Sequence, residues 1–573
     1  MKTSWQAVGD ERQVASEKTQ CTTGVAGIVN VEILRTCLSD VRRTTTLILC
    51  CAVLVFINGL AAQLANAQVT PQRLLNAGQE PQNWLMYSGD YTGKRFSSLQ
   101  EIKVGNADKL VPKWAYQTMA GGKFETTPLV VDGILYATGQ DDRAFALDAR
   151  TGRPIWQYQR ALPGDIRPCC GRVNRGLAIL GDKVFMGTLD SHVIALDTKT
   201  GNVVWDVTAV DYTKGNSFTL APLVIKNLVL VGISGGEYGI RGFIDAYDAN
   251  TGERKWRFNT VPGPSEPGND TWEGESWKFG GAPAWITGTY DVETNTTFWT
   301  TGNPSPSNRS VGRAGDNLYS DTLLALDPDT GKLKWHFQFT TNDDHDYDAT
   351  QVPVMADENG KKLILQANRN GFFYVIDRTN GKLIRAESYA KVSWSKGKDS
   401  NGRPVPAPEG KPTPDGNRVC PGAAGATNWM SPTYDPQTKL FYVTAREQCD
   451  IFSTAPQPYD AGHAYYGSAY FPNDDAAPFY GALRAIEPAT GKIKWEWKHP
   501  SPTWSGLLST AGGVVFTGDA EGNFIALDAT SGKALWHFQC GASVYSSPMT
   551  YSVGGKQYVA VAAGSALLTF GLP

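Results

Sequence analysis

The hydrophobic pattern of this chain repeats short apolar strands rather than helical stripes. Ala146 to Trp156 reads Ala-Leu-Asp-Ala-Arg-Thr-Gly-Arg-Pro-Ile-Trp, and the same arrangement returns at Ala195 to Trp205, Ala246 to Trp256, Ala325 to Trp335, Ala485 to Trp495 and Ala526 to Trp536. A degenerate copy, Val375 to Gly381, lacks the tryptophan. Each copy predicts a β-hairpin. An apolar strand ends in an acid, in most copies Asp, whose carboxylate accepts hydrogen bonds from the backbone of the turn that follows. Glycine closes that turn in a left-handed conformation, and the Trp four residues later, at even strand spacing, faces the neighbouring unit.

The acids that end these strands, Asp148, Asp197, Asp248, Asp327, Asp377, Glu487 and Asp528, follow one another at intervals near 50 residues or its multiples, apart from a shorter last one. Short strands at that period predict radial blades, not a sandwich or a parallel α/β sheet. The interval from Asp377 to Glu487 leaves room for one blade without the motif. Seven visible motifs and that gap predict an all-β, eight-bladed propeller spanning residues 68–573. The repeat tryptophans are assigned to packing between blades, and so to the core.

Composition agrees. A chain of 573 residues is too long for one ordinary core unless it repeats, and 41% hydrophobic against 19% charged residues describes a folded protein. A formal net charge of −3 argues against nucleic acid as the main partner.

The N-terminus has a different pattern. Arg42-Arg43, the apolar run from Leu47 to Ala62 and then Ala65-Asn66-Ala67 form the basic, apolar and small-residue order of a secretory leader. A single membrane anchor is the other reading, but the run is short for a span. Residues 1–67 are therefore read as an N-terminal extension and signal peptide. Cleavage near Ala67 leaves a mature chain starting at Gln68, and the stretch before Arg42 exceeds what a leader needs, which points to translation starting after Met1. Cleavage removes Cys21, Cys37, Cys50 and Cys51 and leaves Cys169, Cys170, Cys420, Cys449 and Cys540. Two disulfides and one free thiol suit an exported chain, with Cys540 as a buried free thiol by default. No Cys-x-x-Cys-His sequence offers attachment for a c-type haem.

Chemistry is sought where the chain departs from its repeat. Cys169 and Cys170 are adjacent, so they either pair elsewhere or close a strained vicinal ring, the reading favoured while Cys420 and Cys449 remain free to pair together. Gly232 to Gly242 is dense in glycine, lets backbone approach a flat or anionic ligand, and holds one carboxylate, Glu237. Asn303 stands in the Pro-bounded stretch Thr301 to Pro306. Asn342 to Asp348 carries four acids in seven residues, which repel one another unless a cation or strong donors lie among them. A solvated acidic loop is the commoner fate of such a run. Taken with Glu237 and Asn303, a hard-cation site of oxygen ligands is the better reading.

These features together resemble the periplasmic pyrroloquinoline-quinone (PQQ)-dependent methanol and ethanol dehydrogenases, from about Asn83 to Gly571, including the Cys420–Cys449 separation. The resemblance implies a disulfide ring, Cys169-Cys170, stacked on one face of the quinone and Trp285 on the other, with a second disulfide at Cys420–Cys449. It implies that Glu125, Arg175, Thr219, Ser234, Gly235 and Gly236 bond the cofactor's carboxylates and carbonyls. Arg369 stands beside the redox carbonyl, and Asn428 and Trp504 fall in two further stretches that approach the cofactor. Glu237 and Asn303 match metal ligands, and Asp346 matches the catalytic base at the metal. Asp348 marks the lanthanide-using members, since a trivalent ion favours one more anionic oxygen; the alternative is calcium, with Asp348 in support.

His345 departs from the family's Trp before the catalytic Asp and puts the pocket shape in question. The implied activity is oxidation of small primary alcohols to aldehydes, with a soluble periplasmic cytochrome c as electron acceptor and a homodimer as a possible assembly. A calcium-dependent dehydrogenase of larger or secondary alcohols is the nearest competitor. A non-enzymatic scaffold of outer-membrane assembly shares the hairpin but needs none of the site residues. The stretch from Tyr459 to Phe479, rich in Tyr, Phe, Pro and Gly, is read as part of the entrance.

Overall fold

The computed structural model describes residues 68–473 and 478–573, so the leader read over residues 1–67 lies outside the described residues. Asp148 shows how the repeat folds. Its Oδ1 accepts the backbone N–H of Arg150 at 3.0 Å and of Thr151 at 2.9 Å, and the Thr151 hydroxyl at 2.9 Å. Gly152 follows at φ +72°, and a Cβ there would stand 2.6 Å from the Trp114 ring. The packing recurs with Gly201 beneath Trp156, Gly252 beneath Trp205, Gly331 beneath Trp256, Gly381 beneath Trp335 and Gly532 beneath Trp495. The turn glycine is thus required twice, for its left-handed φ and for the flat indole laid against it.

The indole N–H groups bond backbone carbonyls of the adjacent sheet or its approach, Trp156 to Thr198 at 2.8 Å and Trp536 to Leu110 at 3.0 Å. The repeat tryptophans pack between sheets, as read from the sequence; their assignment wholly to the core is corrected, since only Trp156 is buried within it. Trp205, Trp256, Trp335, Trp495 and Trp536 are half-buried, because each shields a turn at the rim. The strand without a tryptophan, Leu383–Ser388, places Arg385 in that position, donating to the Ala489 carbonyl at 2.8 Å against Gly491.

Among the described residues there are eight sheets of four or more strands, seven of four and one of five, the fifth strand being Phe96–Ser97 paired parallel to Leu508–Thr510. The fold is a β-propeller. The blade without the repeat is not in the interval from Asp377 to Glu487, as the sequence predicted. Among the described residues that interval adds only a two-stranded sheet, Ser395–Lys398 with Pro404–Pro406, and a three-stranded one, Asn417–Val419, Asp450–Thr454 and Ser468–Pro472. The eighth sheet forms where the ends of the propeller meet: Val111–Gln117 pairs antiparallel with Ala566–Gly571, beside Lys556–Ala563 and Met549–Val553. Its last two strands come from opposite ends of the chain, so no hairpin joins them and no Asp-x-x-Gly turn is needed.

The first strand of each sheet is buried and the fourth alternates with solvent, as Leu129–Val131 and Pro154–Gln159 show. A few residues ahead of successive first strands come Glu125, Arg175, Thr219, Trp285, Asn428 and Trp504. Radial repetition therefore delivers side chains distant in sequence to one end of the propeller.

Candidate active site

That end holds a cavity of about 290 Å³ whose walls include Glu125, Cys169, Cys170, Arg175, Thr219, Ser234, Gly235, Glu237, Trp285, Asp346, Asp348, Arg369, Asn428 and Trp504. Gly236 and Asn303 stand behind it: a Cβ on Gly236 would lie 2.8 Å from Asn303 Oδ1. The candidate cofactor and metal residues singled out from the sequence thus converge. Cys169 and Cys170 form the vicinal disulfide, with Cys170 at φ +68°, and Cys420 pairs with Cys449. Cys540 is free but only partly buried, and burial pushes its thiol up to about 12.

The polar end of the cavity is built around Arg175. Its Nη2 lies 2.7 Å from Glu125 Oε2 with both side chains buried, close enough for an ion pair but not aligned as a hydrogen bond. Glu125 Oε2 and Arg175 Nε therefore keep unused capacity. The guanidinium also stands 4.9 Å from the Trp285 ring centroid, a cation–π arrangement that fixes the indole as a flat wall. Ser234 leads into the glycine turn, where a Cβ on Gly235, at φ +118°, would meet the Gly215 carbonyl at 2.1 Å. Glycine is required there for both shape and space.

At the other end lie the acids. Asp343 folds their loop by accepting the backbone N–H of His345 at 3.1 Å and of Tyr347 at 2.8 Å. Asp346 then sits at φ +65°, a conformation rare outside glycine that aims its carboxylate at Arg369. Arg369 Nη2 donates to Asp346 Oδ2 at 2.8 Å, and its Nη1 bonds Asp348 Oδ2. Asp348 Oδ1 accepts the backbone N–H of Asn303 at 2.8 Å. Asp346 Oδ1 and Asn303 Oδ1 are buried without a partner.

Burial raises Glu237 to about 7, helped by repulsion from Asp348. Burial likewise raises Asp346 and Asp348, with the Arg369 charge working against it. Two buried carboxylates, Asp346 and Asp348, and the half-buried Glu237 face one guanidinium. That surplus of negative charge and the two orphaned oxygens fit a hard cation held by oxygen. The Cys169 and Cys170 sulfurs also come within 4.8 Å of a Glu237 oxygen, but sulfurs already joined to each other are poor ligands for such an ion.

Four wall residues were not read from the sequence: Lys123, Val173, Ala424 and Trp429. Trp429 had a signal in its adjacency to Asn428, and it stacks on Trp504 with centroids 4.4 Å apart and planes 8° apart. Tyr466 and Tyr470 come from the Tyr-rich stretch, whose Tyr459 stacks on Phe279 at 4.7 Å. Phe479, by contrast, lines a different cavity, and residues 474–477 lie outside the described residues.

His345, whose departure from the family's Trp put the pocket shape in question, is not among the cavity's walls. Its Nε2 is 2.6 Å from the Gly410 carbonyl and its Nδ1 is 3.0 Å from Asp344 Oδ1. The ring turns toward the insertion at residues 395–410. Burial opposes charge on it, but Asp344 and Asp343 push it up to about 10.

A family model described as glucose/ethanol/alcohol dehydrogenase, β-propeller domain (PQQ) matches residues 84–396 and 476–559. Quinoprotein alcohol dehydrogenase PedH of Pseudomonas putida is 40% identical over 538 residues, covering 88% of this chain and 90% of that one. The lanthanide-dependent methanol dehydrogenase of Methylacidiphilum fumariolicum is 37% identical over 88% of each chain. A solved europium-containing methanol dehydrogenase superposes with a TM-score of 0.83 at 33% identity, over 87% of this chain and all of that one. The chain belongs to the PQQ-dependent alcohol dehydrogenase family. It is a quinoprotein alcohol dehydrogenase.

Proposed function

We propose that this protein oxidises small primary alcohols of the methanol and ethanol type to aldehydes in the periplasm, with PQQ and a lanthanide ion, and passes its electrons to a soluble cytochrome c. The observation that carries the metal reading is the surplus of carboxylate at half-buried Glu237 and buried Asp346 and Asp348, with Asp346 Oδ1 and Asn303 Oδ1 left without partners. When bound, the quinone supplies the two-electron acceptor for the carbinol hydride, and the cation supplies Lewis acidity.

The chain's own residues supply the rest. Glu125, Arg175, Thr219, Ser234 and Asn428 would hold the quinone's polar groups, with Trp285 and the disulfide ring as apolar walls beside it. Glu237, Asn303, Asp346 and Asp348 would hold the ion. Asp346, with its Oδ2 held by Arg369, accepts the hydroxyl proton of the alcohol. Arg369 also balances negative charge developing nearby. The Arg42 to Ala67 pattern supports export, and the lack of a haem-attachment sequence supports a separate electron carrier.

One observation favours the calcium reading. Arg369 bonds Asp348 directly, which suits Asp348 as support around a divalent ion. Elemental analysis separates the two. Protein loaded with PQQ in equal calcium and lanthanum is expected to retain about one lanthanum per chain; retention of calcium alone overturns the lanthanide assignment.

A further inference from the structure

A buried guanidinium stands behind the aromatic wall of the cavity. Arg446, on strand Leu440–Glu447, is 4% exposed, and its Cζ lies 3.8 Å from the Trp504 ring centroid. Trp429 is parallel to the same ring at 4.4 Å. A cation and a parallel ring that close cannot share one face, so Arg446 and Trp429 sandwich Trp504. Among the described residues Arg446 forms no salt bridge; its Nη1 donates to the Thr503 carbonyl at 3.1 Å and its Nη2 to Gln448 Oε1 at 3.2 Å. An apolar side chain would fill that volume without the cost of desolvating a charge.

The bonds continue to the reacting end of the site. Gln448 Nε2 donates to Asp450 Oδ1 at 3.0 Å, and Asp450 Oδ2 accepts the backbone N–H of Ala423 at 2.8 Å. The carbonyl of Ala423 accepts Arg369 Nε at 2.8 Å. The Cys420–Cys449 disulfide flanks this path on both strands of the chain. The turn is tight: a Cβ on Gly422 would lie 2.5 Å from the Asp450 carboxylate, and one on Gly425 would lie 2.0 Å from Arg369 Cγ.

We infer that Arg446 is a positioning residue of the quinone site, acting through Trp504 and Trp429 on the cofactor and through Gln448, Asp450 and Ala423 on Arg369. Its charge clamps the two indoles into one rigid wall. The same charge, behind a thin aromatic layer and in a low-dielectric interior, favours an anionic, electron-accepting ring on the cavity side. The inference rests on reading that cavity as the quinone's.

The test compares Arg446→Met, which keeps length without charge, with Arg446→Lys, which keeps charge without the planar fork. PQQ binding is followed by quenching of indole fluorescence, together with the absorption spectrum and midpoint potential of the bound quinone and the melting temperature. Arg446→Met is expected to weaken PQQ binding about tenfold and to lower the midpoint potential, while Arg446→Lys recovers most of the affinity and the potential. Unchanged affinity and potential in Arg446→Met overturn the inference, as do equal losses in both variants that merely track the melting temperature. If Arg446→Met does not fold, Arg446→Lys decides: affinity and potential within a few-fold of the unaltered protein support the inference, and loss of both in a folded protein overturns it. Failure of the unaltered protein to take up PQQ overturns instead the quinone reading beneath it.

Discussion

The backbone N–H of Asn303 donates to Asp348 Oδ1 at 2.8 Å, and the side-chain oxygen of the same asparagine is buried with no partner. The bond joins the Pro-bounded loop to the acid loop and leaves an oxygen donor beside a carboxylate. Asp348→Asn keeps an acceptor for the Asn303 N–H and removes one negative charge. It is expected to weaken lanthanide binding to the PQQ-loaded protein by roughly a hundredfold and calcium binding by less. A metal titration monitored by quinone absorbance measures both, and unchanged lanthanide affinity would assign Asp348 to support alone.

Asp346 keeps one oxygen on Arg369 and the other free. Asp346→Asn preserves the shape and removes the base. Turnover is expected to fall by about 10²–10⁴ with PQQ still bound. A variant that holds both cofactors and turns over normally would remove Asp346 from the proton transfer.

Much of this site was legible because its signals are local. Cys169-Cys170, the glycine run around Glu237 and the acids from Asp343 to Asp348 are unusual within a few residues, and the Asp-x-x-Gly hairpin repeats openly. The missed parts depend on neighbours far apart in sequence. Trp114 and Ala566–Gly571 form one sheet only when the propeller closes. Lys123 and Trp429 meet the cavity from separate loops. His345 was judged by its place beside Asp346, yet the contact that decides its direction is the Gly410 carbonyl, in an insertion that carries no motif. Arg385 reads as an ordinary surface charge until it takes a tryptophan's place against Gly491.

The closing strand carries its own expectation. Trp114 packs on Gly152 and donates to the Ala149 carbonyl at 3.1 Å, tying the last sheet to the first. Trp114→Ala is expected to cost about 3 kcal/mol, read by urea denaturation. Arg385→Ala, at the equivalent place in a sheet within the chain, is expected to cost less than half of that. Equal costs would deny the closure any special role.

His499 gives the chain a pH dependence of its own. It is buried beside Trp497, neither ring nitrogen has a hydrogen-bond partner among the described residues, and burial pushes it down to about 4. The unfolded chain takes up a proton there near pH 6.5, the folded chain only near 4, so the unfolded state binds more protons across that window. Stability from this residue is fully present above pH 6.5 and falls by about 3 kcal/mol as the pH drops toward 4. His499→Phe, which cannot take up a proton, is expected to flatten that decline in denaturation midpoints measured between pH 4 and 7. An unaltered slope would place the acid sensitivity elsewhere.

The most direct test of the whole account is dye-linked alcohol oxidation by the purified, PQQ-supplemented protein, with calcium in one series and lanthanum or cerium in the other. Activity on methanol or ethanol that requires the lanthanide is the expected result. Activity with calcium alone would keep the enzyme class and contradict the metal assignment, and no activity with either ion despite bound PQQ would contradict the substrate.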